Sequence, residues 1–139
     1  MALNLDSLSR SIDSLGRSIA AAEKNMHLFD VDTQETLRAG VIQNFEVAYE
    51  QCWKMLQRWI KVNRTPEDAD NPRTRKDLFR MSARYGLIAD PQPWFDYGEA
   101  RNLTSHVYDA EKALSIYATA ISFHADAEYV LNQLENLND

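Results

Sequence analysis

A regular apolar stripe at the start of the chain constrains the fold more strongly than any other feature of the sequence. Its members follow one another at spacings of three and four residues: Leu5, Leu8, Ile12, Leu15, Ile19, Ala22 and Met26. This spacing puts them on one side of an α-helix, which we predict from about Asn4 to His27. So narrow a stripe packs in a helical bundle or against a partner chain, and the bundle is the commoner case.

The rest of the chain shows helical spacing between a few breaks. Only four Gly and four Pro occur, and they cluster, which leaves long uninterrupted tracts. Further helices are predicted over about Thr33–Val62, Thr74–Tyr85, Trp94 into the segment around Arg101, and Asp109–Leu137. The polar segment from Asn63 to Arg73 is typical of an exposed loop. We therefore predict an all-α, up-and-down four-helix bundle with one additional shorter helix, formed by residues 1–139 as a single domain.

Particular residues are expected to cap the helices and to face the core. Asp32 or Thr33 is a candidate cap for the second helix, and Asp109 for the last. Tyr49 and Trp53 lie off the main stripe of the second helix, which indicates another packed surface, within the chain or with a partner. In the last helix we expect these side chains to face the core: Leu114, Tyr117, Ile121, His124, Leu131 and Leu134.

Composition and charge argue against several classes of protein. The net charge of −6 makes non-specific binding of nucleic acid by the whole surface unfavourable. No apolar run approaches membrane-spanning length, and charges interrupt the N-terminal stretch, so we expect a soluble cytoplasmic protein. The single cysteine, Cys52, excludes an intrachain disulfide and fits that compartment.

The charge is unevenly distributed, because residues 54–84 carry nine Lys or Arg side chains and four Asp or Glu side chains. Within this window Arg73, Lys76, Arg80 and Arg84 recur at helical spacing and share one face. A charged helix face is most often simply solvated. The alternative is a surface that binds nucleic acid or another anion.

Residues able to do chemistry cluster just before the last helix. On an unbroken helix Arg101 and His106 would diverge, because five residues turn the chain by about 140°. They converge if the helix ends near Ser105, and a cap at Asp109 supports a break there. The histidine could then exchange a proton with a ribose 2′-hydroxyl or a leaving oxygen, the arginine could neutralise phosphate charge, and Asn102 could orient either. The alternative is a buried or capping histidine.

The sequence shows no arrangement typical of a metal or cofactor site. His27, His124 and Cys52 are far apart and give no metal-ligand spacing, and His27 fits a structural role at a helix end. The chain lacks a phosphate-binding G-x-x-x-x-G-K-[ST] loop and the Gly-Ser and paired-Asp motif of nucleotidyltransferases. We therefore expect no metal, no cofactor and no nucleotidyl transfer by this chain itself.

The segment Arg101-Asn102-x-x-x-His106-x-Tyr108 resembles the R-x4-H-x-Y signature of the HEPN superfamily (higher eukaryotes and prokaryotes nucleotide-binding). Looser patterning through nearly the whole chain resembles one bacterial branch, the nucleotidyltransferase substrate-binding protein family, also described as the toxin of HEPN/minimal-nucleotidyltransferase pairs. That patterning comprises Leu5–Ala22, Phe45–Trp59 with its Trp53-Lys54 pair, Asp77-Leu78-Phe79-Arg80, Trp94 and the helix after Tyr108.

The resemblance implies a fold like the helical substrate-binding domain of kanamycin nucleotidyltransferase, a homodimer, and a separately encoded minimal nucleotidyltransferase as partner. In toxin members of the family, the motif Arg and His of two protomers form a metal-independent RNA-cleaving site, and the partner attaches AMP to the motif Tyr. Carried over, Arg101 and His106 would be catalytic, Asn102 supporting and Tyr108 the AMP acceptor. The alternative for Tyr108 is a half-buried residue that packs at a helix junction.

The sequence is compatible with three functions. The first is an HEPN-type toxin that cleaves RNA in a dimer cleft and is restrained by a nucleotidyltransferase encoded nearby. The second is a non-catalytic subunit that binds a substrate or nucleotide for that partner. The third is a helical adaptor in which the motif is accidental, and it requires Arg101 and His106 to be buried or to face apart.

Overall fold

Every regular element in the described part of the chain is helical. The computed structural model describes residues 2–64 and 74–138. Its helices are α1 (Asp6–Asn25), α2 (Val31–Asn63), α3 (Arg75–Arg84), α4 (Pro91–Asn102) and α5 (Ala110–Asn136), with short 3₁₀ turns at Met26–Leu28 and Leu103–His106. The all-α fold class, with α3 as the additional shorter helix, is confirmed.

Side chains that accept hydrogen bonds from free backbone N–H groups fix the starts of the long helices. Asp30 accepts from the Thr33 N–H at 2.9 Å and caps α2, so the prediction of Asp32 or Thr33 as the cap was wrong. The reason is that Asp30 has extended backbone angles, whereas Asp32 and Thr33 already belong to the first helical turn. Asp109 caps α5 as predicted, by accepting two N–H groups of its first turn.

A glycine marks the end of α3, and a proline marks the start of α4. α3 is followed by Gly86, whose φ of +78° is a conformation that glycine adopts without strain. α4 begins at Pro91 rather than at the predicted Trp94. Asp90 caps this helix, and proline fits the first helical turn because no N–H donor is needed there.

Aromatic side chains from four helices meet in the centre of the bundle. Tyr49 on α2 is fully buried, and its ring centroid lies 6.3 Å from those of Phe79 on α3 and Phe123 on α5. Trp94 on α4 lies 5.2 Å from Phe79 and 5.5 Å from Phe123. The second packed surface that Tyr49 indicated on α2 therefore lies within the chain, where α3 and α4 cover it.

The buried face of α1 is the predicted one, but that of α5 is not. On α1, Leu8, Leu15 and Ala22 are fully buried. On α5, Leu114 and Ile121 were expected in the core but are 49% and 37% exposed. The buried side chains of α5 are instead Ile116, Tyr117, Ala120, Phe123, Ala127, Val130 and Leu134.

The register of α5 follows from how its side chains fill space. Apolar residues occur on more than one side of this helix, so spacing alone leaves two candidate faces. The large Phe123 ring fits among Phe45, Tyr97 and Trp94, with small Ala120 and Ala127 one turn to each side. His124 is consequently only half-buried, beside Gly16 of α1.

The end of α2 is tied to the end of α3. The Arg64 guanidinium lies 4.2 Å from the ring centroid of Tyr85 and 5.5 Å from that of Trp59. The predicted loop from Asn63 to Arg73 lies mostly outside the described residues, and Arg73 of the predicted basic face lies outside them too. None of the helices described is long and apolar enough to cross a membrane.

Candidate active site

The chain breaks its helix between Arg101 and His106, as predicted. α4 ends at Asn102, a 3₁₀ turn follows over Leu103–His106, and the Asp109 cap then starts α5. Thr104 holds this turn together, because its hydroxyl donates to the Arg101 carbonyl at 2.7 Å and accepts from Arg101 Nη1 at 3.1 Å. Arg101 and His106 therefore stand at the two ends of one short, surface turn.

Two carboxylates of α2 hold the Arg101 guanidinium. Its Nη1 lies 3.5 Å from Glu46 Oε2, and its Nε lies 3.3 Å from Glu50 Oε1. The Nε contact is an ion pair without hydrogen-bond alignment, since this buried N–H has no hydrogen-bond partner among the described residues. The Arg101 side chain is 32% exposed, so the guanidinium is restrained while part of it remains open to a ligand.

Glu50 is itself held in place. The Trp53 indole N–H donates to Glu50 Oε2 at 2.8 Å, which leaves Oε1 for Arg101. The Arg75 guanidinium from α3 lies 4.2 Å from the Trp53 ring centroid, in cation–π contact. The half-buried Trp53, predicted to lie on a second packed surface, thus links the start of α3 to the candidate site.

A glycine lets α4 come close enough to α2 for these contacts. A Cβ atom at position 98 would lie 3.0 Å from Tyr49 Oη, which is tighter than side chains normally tolerate. Because Gly98 lacks this atom, α4 packs closely against α2 at a point one helical turn before Arg101. Glu46 and Glu50, four residues apart on α2, then come within reach of the guanidinium.

His106 and Tyr108 contact each other at the surface. His106 Nδ1 lies 3.3 Å from Tyr108 Oη, and the two rings meet edge to face. Tyr108 is 82% exposed, so it is not the half-buried residue that a packing role would require. His106 is half-buried and Asn102 is exposed. Neither Arg101 nor His106 is sealed in the core.

A groove opens beside Tyr108. It has a volume of about 530 Å³ and lies between the first half of α2 and the start of α5. The lining residues are Asp32, Glu35, Thr36, Arg38, Ala39, Ile42, Val107, Tyr108, Ala110, Ala113 and Leu114. Sequence patterns did not predict this groove, because its two walls come from segments about 70 residues apart that meet only in the fold.

The predicted basic face on α3 is exposed, but Lys76 and Arg80 already contact neighbouring side chains. Lys76 Nζ and the Arg80 guanidinium lie 5.4 Å and 5.2 Å from the Phe95 ring centroid on α4. Arg80 also pairs with Asp77 at 3.0 Å. Arg84 forms no ion pair within the described ranges. This face therefore borders α4, the helix that carries Arg101 in its last turn.

The remaining histidines and the cysteine stand apart from this site. His124 Nδ1 lies 3.3 Å from Glu128 Oε1, one turn along α5, and His27 is exposed in the turn after α1. Cys52 is fully buried, and burial raises the pKa of its thiol. Within residues 2–64 and 74–138, no three His, Cys, Asp or Glu side chains come together as metal ligands would.

Comparison with known proteins places the chain among characterised folds. The family described as nucleotidyltransferase substrate binding protein like matches residues 3–136. The chain is 36% identical over 139 residues to the probable ribonuclease HepT of Haemophilus influenzae, covering 98% of this chain and 94% of that protein. The likeness therefore extends over nearly the full length of both sequences.

Solved structures agree with the sequence match. A Haemophilus influenzae structure, described as revealing the fold of a substrate binding domain of a nucleotidyltransferase, has a TM-score of 0.88 at 35% identity and covers 95% of this chain and 99% of its own. A Thermus thermophilus structure shares the fold at 24% identity, with a TM-score of 0.61 and coverage of 86% and 98%. The chain therefore belongs to the nucleotidyltransferase substrate-binding protein family, as the patterning of nearly the whole chain implied.

Proposed function

We propose that this protein is an HEPN-type endoribonuclease that cleaves RNA without a metal ion, with Arg101 and His106 as its catalytic residues. The observation that carries the proposal is the surface turn Leu103–His106, which separates a restrained but accessible guanidinium from an accessible imidazole. The likeness to the probable ribonuclease HepT supports the same activity. We propose the cytoplasm as its location, in keeping with the single buried thiol.

The proposed reaction is an internal transesterification of RNA. His106 takes the proton of a ribose 2′-hydroxyl, and the 2′ oxygen attacks the adjacent phosphorus atom. The bond to the 5′ oxygen breaks, and that oxygen takes a proton from water. Arg101 stabilises the negative charge that builds on the phosphate during this step, and Asn102 supports the strand from the exposed end of α4.

We propose that the active form is a homodimer that pairs through an outer face of α5. This face consists of Ala118, Ile121, Ala125 and Tyr129, which follow one another at helical spacing and are exposed, Ile121 by 37% and Tyr129 by 41%. An exposed helix face on which large Ile121 and Tyr129 alternate with small alanines is typical of helix–helix interfaces. In such a dimer each protomer would contribute to the RNA cleft.

The proposed regulatory partner is a minimal nucleotidyltransferase that attaches AMP to Tyr108. Tyr108 is the most exposed of the large apolar and aromatic side chains that the structure describes, at 82%, so an enzyme can reach its hydroxyl. Its Oη lies 3.3 Å from His106 Nδ1. An attached AMP would place bulk and negative charge beside the imidazole and exclude an RNA phosphate.

One observation favours the second candidate function, a non-catalytic binding subunit. Two carboxylates already pair with Arg101, and they oppose the approach of a phosphate. A subunit of this kind would bind a substrate or nucleotide for the nucleotidyltransferase and leave RNA intact. The related Haemophilus influenzae structure is described as having the fold of a substrate binding domain of a nucleotidyltransferase, which agrees with a binding role.

Cleavage of RNA by the purified protein in the presence of a chelator separates the two functions. The ribonuclease hypothesis predicts cleavage by the wild type and a loss of at least about a hundredfold in His106→Ala, because general acid–base catalysis contributes that much or more. His27→Ala is the matched control, since His27 is exposed and belongs to the turn after α1 rather than to the Leu103–His106 turn.

Equal cleavage by wild type and His106→Ala would remove this imidazole from the mechanism. No cleavage by the wild type, together with a stable complex with the nucleotidyltransferase encoded nearby, would establish the binding subunit instead. A growth assay adds a cellular readout. We expect expression of the chain alone to arrest growth, and co-expression of that nucleotidyltransferase to relieve the arrest.

A further inference from the structure

The groove beside Tyr108 lies outside the turn that carries Arg101 and His106, and nothing so far gives it a function. Its volume of about 530 Å³ is in the range of sites that hold small organic ligands. It combines an aromatic ring, an apolar wall and charges of both signs. We propose that it binds one unstacked base of a single-stranded RNA, next to the phosphate that His106 and Arg101 would cleave.

Tyr108 supplies a stacking surface for the base. Its ring is 82% exposed and forms one wall of the groove. Proteins that bind single-stranded RNA stack splayed-out bases on rings of this kind. Leu114, 49% exposed, and Ile42 and Ala39 of α2 add apolar surface around it. The groove therefore matches the flat, apolar faces of a nucleobase.

The charges in the groove match the polar parts of a nucleotide. Arg38 lines it and forms no ion pair with the part of the chain that the structure describes, so its guanidinium can pair with a backbone phosphate. Asp32 and Glu35 also line it, and carboxylates accept hydrogen bonds from base amino groups such as the N4 group of cytosine. This favours cytidine over uridine in the groove.

The position of the groove fits a substrate strand. The Tyr108 ring that forms its wall contacts the His106 ring, with Oη 3.3 Å from Nδ1. A base stacked on Tyr108 would therefore contact the same ring that contacts the proposed catalytic imidazole. This inference rests on the proposed ribonuclease function, because it assigns the groove to the base that flanks the scissile phosphate.

Binding of RNA strands that cannot be cleaved tests the groove apart from catalysis. The probes are a fluorescein-labelled 2′-O-methylcytidine decamer and an abasic decamer with the same backbone, measured by fluorescence anisotropy with the full chain. We expect the wild type to bind the base-bearing strand about tenfold more tightly, as one stacked base would provide. A 2′-O-methyluridine decamer should bind less tightly than the cytidine decamer.

A variant that fills the groove provides the decisive comparison. Ala39→Phe should abolish the preference for the base-bearing strand without removing a charge. Ala20→Phe is the matched control, because Ala20 is exposed on α1 and does not line the groove. Thr36→Trp is a second groove-filling variant if Ala39→Phe does not fold, which circular dichroism will show.

Equal binding of the two decamers by the wild type, or an undiminished preference in both folded groove variants, would overturn the proposal. A second combination of results would also overturn it: the wild type binds both decamers equally, and sedimentation velocity shows that Ala39→Phe loses the dimer. The groove would then be a subunit contact. If the protein cleaves unmodified RNA but binds the base-bearing and abasic decamers equally, the groove proposal is wrong and the ribonuclease function stands. If the protein prefers the base-bearing decamer but does not cleave RNA, the groove proposal is supported and the ribonuclease function is wrong.

Discussion

At the level of single residues, the surroundings of the Arg101 guanidinium define the candidate site most closely. Glu46 and Glu50 pair with it, Thr104 accepts from it, and Trp53 fixes Glu50. The three ion-paired side chains, Arg101, Glu46 and Glu50, are partly exposed, so solvent screens the ion pairs and their contribution to stability is small. We infer that their main effect is to fix the direction of the guanidinium, which matters for catalysis more than for folding.

Glu50→Gln should therefore lower RNA cleavage more than Glu46→Gln. Glu50 faces Nε and is held by the Trp53 indole, whereas Glu46 touches only Nη1 at 3.5 Å. We expect kcat to fall by about tenfold or more in Glu50→Gln, because small misplacements of a catalytic group cost that much. The free energy of unfolding should change by less than about 1 kcal/mol, as for exposed ion pairs.

Steady-state cleavage kinetics and urea unfolding of the two variants provide the measurement. Trp53→Phe should lower kcat in the same direction, because Glu50 then loses its hydrogen-bond donor. A higher kcat in Glu50→Gln would show that the carboxylate blocks phosphate binding, and it would assign Glu50 an inhibitory role instead.

At the level of the elements, α3 concentrates positive charge in an acidic chain, because it carries four Lys or Arg side chains and one Asp. Lys76 and Arg80 lie over Phe95 of α4, and Arg84 continues the same face of α3. A strand of RNA that reaches the Arg101 turn can follow this face, because its phosphates would meet cations along the way. Arg80 is partly neutralised by Asp77, so Lys76 and Arg84 are expected to contribute most.

Lys76→Ala and Arg84→Ala should each reduce the salt dependence of RNA binding. For single strands, the logarithm of the association constant falls with the logarithm of salt concentration by about 0.7 per neutralised phosphate. We expect the slope to become less steep by about that amount in each variant, measured by anisotropy titrations between low and moderate salt. Arg17→Ala, an exposed change on α1, is the control. Unchanged slopes in both α3 variants would show that this face contacts solvent and does not bind RNA phosphates.

At the level of the whole molecule, α5 joins the core to the proposed dimer interface. One side of the helix buries Phe123 and Val130 in the bundle. The side with Ile121 and Tyr129 remains exposed, and a second protomer would cover it. The same helix begins at the Asp109 cap, directly after Tyr108, so α5 carries the proposed interface and follows directly on the candidate site.

Ile121→Arg should dissociate the dimer without unfolding the chain. An arginine at this exposed position is tolerated in the monomer, but in the interface it would be buried without a partner. We expect the dimerisation constant to weaken by at least about a hundredfold, which corresponds to about 3 kcal/mol, in sedimentation experiments. Val47→Arg is the matched control, because Val47 is a similarly exposed apolar residue on α2. An unchanged dimer in Ile121→Arg would place the interface elsewhere.

Helical periodicity predicted most of the fold because α1 and α2 each have one dominant apolar stripe. It failed on α5, where Leu114 and Ile121 compete with Ile116 and Phe123 for the core. Only the packing of neighbouring helices decides between two such faces. That residues 1–139 form one domain stays a prediction.

Of the candidate site, the sequence motif singled out Arg101, His106 and Tyr108, and the predicted cap at Asp109 indicated the helix break between Arg101 and His106. Glu46 and Glu50 were missed, because their pairing with Arg101 depends on the close approach of α2 and α4 at Gly98. Two acids at positions 46 and 50, four residues apart on one predicted helix and each next to an aromatic residue, were the available sequence signal. No local pattern identifies which cation such a pair will meet.

The chemistry of the RNA ends tests the central claim most directly. The protein is incubated with RNA in excess chelator, and the new ends are identified by mass spectrometry. If His106 removes the 2′-hydroxyl proton while Arg101 stabilises the phosphate, the products carry 2′,3′-cyclic phosphate and 5′-hydroxyl ends. Products with 3′-hydroxyl and 5′-phosphate ends, or cleavage that stops when the chelator is added, would contradict the account.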